Sequence, residues 1–531
     1  MSNPDQAPIL LEQTLTPLSE LDPLTRKVLV QLPPRATADN RADVDSVRHV
    51  LEQQVGPMQI PLSLMHSIPA LCSTREPLTA TLAPTGCCWQ LIELEQGDTT
   101  EEHYGLAVDI GTTTIVVYLI DMHSGAVLQR AADFNGQIPF GEDILSRIRH
   151  AAEPSGLIEL QHAIRDTLNR LIDRVCIPPL TPTRISAVSI GANTTMVHLL
   201  LGLDPVSISR SPYIPVVNAP GILTAQDIGL GINPLAPVYC LPSVGSFIGG
   251  DIIAGVLVSS MHLQDEISLF VDIGTNGEIV MGNREWLVAC AGAAGPALEG
   301  GVTTHGMRAE AGAVDRVSLD PVSGEVRYST IGQTPACGIC GSGLVDILAE
   351  LFLHEIIDRA AHFATGQSHF IVVPAAESTT GQDIIVTQAD IDNLMATKGA
   401  VNAALDVLLE SVGCSWQDIH RFYAAGAFGQ YLPLESAITI GLYPDLPRSS
   451  MIRLGNSSGE GARQVLLSQA KRKEAETLAA TITYFELNAN PTFMDKFKSS
   501  KFLPHTDIDR YPSVKARLQA RRTAAQSGQR A

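Results

Sequence analysis

At 531 residues, with 45% hydrophobic and 17% charged types, the chain is long enough for two to four domains of about 150 residues, which excludes a peptide ligand, a disulfide mini-scaffold and a disordered chain. Its 36 Lys and Arg against 56 Asp and Glu leave a formal charge of −20, so electrostatic attraction to nucleic acid or an anionic membrane is opposed, and an anionic ligand needs local backbone donors or a metal. Nine dispersed cysteines, no basic-then-apolar leader and no apolar run near the roughly 18 residues of a membrane span place the expectation in a reducing cytoplasm.

Residues 1–22 are polar and proline-containing and read as a flexible segment. KVLVQLP at 27–33 predicts a short strand and DVDSVRHVLEQQVG at 43–56 a helix closing at Gly56, while TATLAP and WQLIELEQGD predict two strands around a turn. Together they form a small α/β domain over 23–103, closed by the acidic linker GDTTEEH. In that turn region Cys87 and Cys88 are adjacent, and as strand neighbours they are expected to face opposite ways.

From Tyr104 to about 505 the pattern is β-rich runs ending in glycine turns, alternating with helices such as LIELQHAIRDTLNRLIDRVC at 157–176, whose apolar positions recur at three and four. Inside it lies a repeat. GLAVDIGTTTIVVYLID at 105–121 and SLFVDIGTNGEIVMGNR at 268–284 share an apolar strand, Asp-Ile-Gly-Thr and a second β-branched strand, the two turns lying 163 residues apart. This points to a duplicated β-hairpin, one in each half of a two-lobed molecule, with the second lobe starting near 268. The remainder, 506–531, is basic, poor in bulky apolar residues and expected to be a disordered tail.

In each hairpin a glycine, Gly111 or Gly274, lets backbone approach a ligand. The following residues, Thr112, Thr113 and Thr114 or Thr275 and Asn276, supply hydroxyls and turn N–H groups suited to phosphate oxygens. Asp109 and Asp272 face the same space. Carboxylates beside phosphates imply an intervening Mg²⁺, held largely through water.

Between the copies, Asn193 to Thr195 form a polar turn before a helix carrying His198, which reads as a packed residue. Asp251 follows two glycines at the start of another helix and is either an N-cap or the carboxylate that orients an attacking water. Farther on, a turn at Gly426 and Gly429 and another at Gly455 and Asn456 offer free N–H groups to anions or to ribose and base edges.

DIGTTT, DIGTNGE and AGAFG, with Gly-Gly-Asp between the first two, resemble the phosphate-1, phosphate-2 and adenosine motifs of the acetate and sugar kinase, heat-shock chaperone and actin (ASKHA) superfamily, whose core is ribonuclease H-like. More narrowly, GANTTMVHLLLGLDP, GGDI, EGGVTTHGMRAEAGAV at 299–314, CGICGSGLVD at 337–346 and the KFLPH ending at 505 resemble the reductive activators of corrinoid proteins, over about 25–505. The resemblance implies an α/β fold with a small N-terminal α/β domain and a two-lobed ASKHA core over 104–505, with a C-terminal helix packing back. Its nucleotide, Mg-ATP, sits between the lobes. Asp109, Asp251 and Asp272 are the catalytic candidates, and Gly111, Thr112, Thr113, Thr114, Gly274, Thr275, Asn276, Gly426, Gly429, Gly455 and Asn456 the nucleotide ligands. The work implied is ATP-dependent reduction of Co(II) to Co(I) in the corrinoid protein of a methyltransferase system.

The chain departs from the family in lacking ferredoxin-type cysteine spacing such as C-x4-C-x2-C. No bound iron–sulfur cluster is therefore expected, and electrons are expected from a separate low-potential donor. Cys340, in the glycine-rich stretch, reads as a small packed residue; a redox or metal role for Cys337 and Cys340 together is the other reading. A small-molecule, sugar-type kinase and a non-redox ATP-dependent chaperone of a cobalamin enzyme are the alternative functions. Whether the chain forms a homodimer is open.

Overall fold

The computed structural model describes all residues except 1–16, 19, 34–39, 75, 275–276, 293–294, 296–300, 321–322, 365, 488–489 and 529–531. The chain divides into two compact units. Among the described residues, those up to 258 and 457–480 make the first, and 259–456 and 481–528 the second. Among the described residues no helix is long and apolar enough to cross a membrane.

The first unit begins with the small α/β domain. Strands Arg26–Val30, Leu78–Pro84 and Trp89–Gln96 pair antiparallel in that order, and Met58–Gln59 adds a parallel edge. Val30, Leu78, Ala80, Leu82 and Leu91 pack with Val47 and Leu51 of the helix Asp43–Val55 and with Ile68, all buried. Cys87 and Cys88 depart from expectation: they lie in the tight turn between strands, where Gly86 takes φ +78°, so no alternation of faces applies to them.

A buried polar cluster ties this domain to the rest of its unit. Thr25 Oγ1 lies 2.9 Å from His103 Nε2 and 3.0 Å from Ser186 Oγ. Burial, with nearby Lys27 adding to it, pulls the His103 pKa down to about 4. The folded form therefore keeps His103 neutral while the unfolded chain, near 6.5, takes up a proton. Stability that is complete above about pH 6.5 is lost as pH falls through 4, by about 3 kcal/mol at most. His103→Gln should flatten this acid slope; urea midpoints measured across that window check it, and an unchanged slope would remove His103 as the cause.

The remainder of the first unit is a sheet in the order Val127–Phe134, Thr114–Asp121, Tyr104–Ile110, Ile185–Ala192, Pro237–Cys240 and Ile222–Thr224. The first three strands are antiparallel, and Tyr104–Ile110, Ile185–Ala192 and Pro237–Cys240 are parallel. Period-two alternation gives this sheet two different faces. Leu106, Val108 and Ile110 join the core beneath the helices Gly156–Val175 and Thr194–Leu201. The opposite face carries Gly105, Ala107, Ser189 and Gly191, small enough for the helix Ser457–Leu467 to lie against it. Ser189 Oγ donates to the Ala462 carbonyl at 2.5 Å, and a Cβ on Gly191 would come within 2.5 Å of Ser458 Oγ.

The second unit repeats the plan. Its sheet runs Met451–Gly455, Arg421–Ala425, Ser268–Ile273, Gly277–Gly282, Leu287–Gly292 and Thr483–Tyr484, with the same antiparallel hairpin at the centre and parallel strands beside it. The duplication thus extends from the hairpin to five strands of each sheet. The stretch after 505 differs from expectation: Pro512–Gly528 is a helix, not a disordered tail. Tyr511, Val514 and Leu518 recur at helical spacing and are buried, Arg510 Nη1 just before the helix donates to Asp406 Oδ1 at 2.8 Å, and Arg517 and Arg522 pair with Glu435 and Glu355, so a few apolar residues and several ion pairs dock it.

Candidate functional site

In the first unit Asp109 and Ile110 end one hairpin strand, opposite Val116 and Ile115 of the next. A Cβ on Gly111 would lie 2.8 Å from the Thr114 carbonyl, so the turn closes only on glycine. All three carbonyls of the turn point into protein. Asn135 Nδ2 donates to the Gly111 carbonyl at 2.9 Å, Arg147 Nη2 to that of Thr112 at 2.6 Å, and the Asn135 amide to that of Thr113 at 2.8 Å. The amides of Thr112 and Thr113 meet no acceptor among the described residues. Carbonyls held inward with amides left over form an anion-binding concavity.

Asp251 converges on the same turn. Asn193 caps the helix Thr194–Leu201 through Met196 N at 2.9 Å and sends Nδ2 toward Thr112 Oγ1 at 3.3 Å. A Cβ on Gly249 would lie 2.4 Å from Asn193 Cα and 2.7 Å from Asp251 Oδ1, which is why glycine precedes the helix Gly250–Ser259. Asp251 sits inside that helix's first turn, accepts from Ile252 N at 2.8 Å and keeps a partly exposed side chain. It is thus a first-turn carboxylate, favoured by the positive helix end, rather than the residue capping from outside.

His198 has the packing role expected of it. Its Nδ1 lies 2.7 Å from the Thr194 carbonyl, Nε2 accepts from Val216 N at 3.0 Å, and burial lowers its pKa, so the ring is a neutral brace.

In the second unit Asp272 pairs in register with Ala425, which pairs with Gly455 across a bulge. Gly426 has φ +73°, and a Cβ there would lie 2.5 Å from Asp272 Oδ1. Gly455 has φ +64°. A Cβ on Gly429 would lie 2.7 Å from the Ala424 carbonyl carbon, so glycine lets the short helix Gly426–Tyr431 fold back on its strand. Asp272, Gly274, Gly426, Gly429, Gly455 and the buried Asn456 therefore gather at one end of this sheet. Thr275 and Asn276 lie outside the described residues.

Among the described residues no group of three or more His, Cys, Asp and Glu is placed to hold a metal. The first-unit turn nonetheless suits phosphate oxygens, because its Thr112 and Thr113 amides meet no acceptor among the described residues, and a magnesium held through water asks for few direct protein ligands. Cys340 is buried, its Sγ 3.4 Å from the Val314 carbonyl, and Cys337 Sγ lies 3.6 Å from Met307 Sδ. Burial pushes the Cys176 thiol up to about 11 and that of Cys240 to about 12, which leaves both inert.

Three family models match in chain order: the RACo linker region over 16–101, the RACo middle region over 104–264 and the C-terminal ASKHA domain of RACo over 266–515. The chain is 35% identical over 414 residues to the corrinoid activation enzyme RamQ of Eubacterium limosum, covering 74% of this chain and 69% of that one. It is 24% identical over 411 residues to the [Co(II) methylated amine-specific corrinoid protein] reductase of Methanosarcina barkeri, covering 72% and 73%. Among solved structures, a reductive activator for corrinoid, iron-sulfur protein matches with a TM-score of 0.85 at 38% identity, over 95% of this chain and 83% of that one.

Proposed function

The chain belongs to the RACo family, carrying its linker, middle and ASKHA regions in order, and from that premise we propose that it is an ATP-dependent reductive activator of a methyltransferase system's corrinoid protein. It promotes reduction of Co(II) to Co(I) with electrons from a separate donor. The observation that carries the reading is the likeness to a reductive activator over 95% of the chain. The Gly111 to Thr114 turn, with its carbonyls tied inward, supports the ATP-binding part of it.

The proposed roles follow from the residues. The amides of Thr112 and Thr113 and the threonine hydroxyls hold phosphate oxygens. Asp109 and Asp272 are the carboxylates that would hold Mg²⁺ through water, and when bound the ion neutralises phosphate charge. Asp251 orients the attacking water. The residues around Gly426, Gly429, Gly455 and Asn456 take the nucleoside.

The reduction itself is helped by binding. An activator that prefers the Co(I) form, or a Co(II) form relieved of an axial ligand, shifts a one-electron potential by about 59 mV for each tenfold preference. ATP acts by favouring the state of the activator in which that preference is expressed. The ATPase rate should accordingly rise when a Co(II) corrinoid protein is added and stay level with sugars. Stimulation by a sugar, with transfer of phosphate to it, would replace this reading with a kinase.

A further inference from the structure

Arg147 was not marked by any sequence motif, yet it is fully buried in the short helix Ile144–Ala151 directly behind the phosphate-binding turn. Its guanidinium is held at three points: Nη2 donates to the Thr112 carbonyl at 2.6 Å, Nε to the Gly141 carbonyl at 2.8 Å and Nη1 to Gln137 Oε1 at 3.1 Å. Nη1 also lies 3.5 Å from Met196 Sδ. Gln137 is in turn fixed, its Nε2 donating to the Leu160 carbonyl at 2.9 Å. Each of these acceptors is neutral. Among the described residues no carboxylate lies within ion-pair distance of Arg147, and the charge of Asp143, just before the helix, acts on it without contact and offsets only part of the burial.

A buried charge without a counter-charge is costly, and folded proteins pair it or lose it. Burial lowers Arg147 to about 10, which still leaves it charged at neutral pH. We propose that Arg147 is a positioning residue whose counter-charge is the bound phosphate itself: from behind the turn it orients the Thr112 carbonyl inward and supplies positive potential to the anion held on the other side. The role rests on the nucleotide reading above and adds to it a residue that touches no ligand. Through one peptide unit the guanidinium polarises the Thr112–Thr113 link, so that the Thr113 amide presents a stronger donor outward.

The test uses the full chain with Mg-ATP, comparing the unaltered protein, Arg147→Met and Arg147→Lys by calorimetric titration and by melting temperature with and without nucleotide. Arg147→Met keeps an unbranched stem of about the same width and removes the guanidinium and its charge. It should weaken Mg-ATP by about 10-fold or more, the scale of one charge-assisted hydrogen bond, and shrink the nucleotide-induced rise in melting temperature. The nucleotide-free melting temperature reports the packing cost separately, since the Thr112 and Gly141 carbonyls and Gln137 Oε1 lose a buried donor. Arg147→Lys keeps the charge without the fork and should bind between the two. Equal affinity in all three proteins would overturn the role of Arg147 while leaving the nucleotide reading intact. Equal weakening in both variants, with a lower nucleotide-free melting temperature, would reduce Arg147 to a packing residue and also overturn it. No binding by the unaltered protein would overturn the nucleotide reading and the Arg147 role together.

Discussion

Asp109→Ala and Asp272→Ala should each abolish Mg-ATP hydrolysis while leaving the fold in place. Both aspartates stand at the ends of central hairpin strands, one before Ile110 and the other before Ile273, and both are partly exposed rather than part of either core. Truncation removes no apolar packing, so the stability cost belongs with those of surface substitutions. The loss falls on charge balance. On the proposed roles each truncation removes a carboxylate that would hold Mg²⁺ through water, the ion that would neutralise phosphate charge. Phosphate release and circular dichroism, measured on the same preparations, check both halves of the expectation. Turnover at the unaltered rate in both variants would remove the two hairpins from the phosphate chemistry.

Asp251→Ala should separate binding from turnover. The side chain lies in the first turn of Gly250–Ser259, brought to the Thr112 turn through Gly249 and Asn193. None of the three carbonyl anchors of that turn depends on it. Mg-ATP affinity should therefore persist, and hydrolysis should slow by about 10²- to 10⁴-fold, the range for a lost general base. A parallel loss of affinity would make Asp251 a ligand-holding group; unchanged turnover would leave it only a carboxylate that favours the first turn of its helix.

Much of the site is legible in the sequence because hairpin turns are local. Asp-Ile-Gly-Thr carries its own geometry, and its repetition discloses the two halves. The full extent of the duplication is not legible: the strands that flank each hairpin, such as Ile185–Ala192 and Arg421–Ala425, share no motif and become equivalent only through sheet order. Arg147 and Asn135 escape for a similar reason, since they reach the turn from 35 and 24 residues away and act on its carbonyls. Asn193 stands in a polar turn whose bond to Thr112 spans 81 residues. The helix Ser457–Leu467 leaves a strand of the second unit and joins the first; the signal was the row of small residues at Gly105, Ala107, Ser189 and Gly191, which admits a helix but does not say which one. The C-terminal helix was hidden by its basic composition, which outweighs the buried Val514 and Leu518, with Tyr511 just before them, in any average.

On the proposed function, ATP drives corrinoid reduction through this protein. Mixing the purified protein with a Co(II) corrinoid protein and a chemical reductant, with and without Mg-ATP, and following the visible spectrum of the corrinoid tests it directly. Growth of the Co(I) spectrum only when protein and Mg-ATP are both present is the predicted result; the same yield of Co(I) with and without Mg-ATP would contradict it.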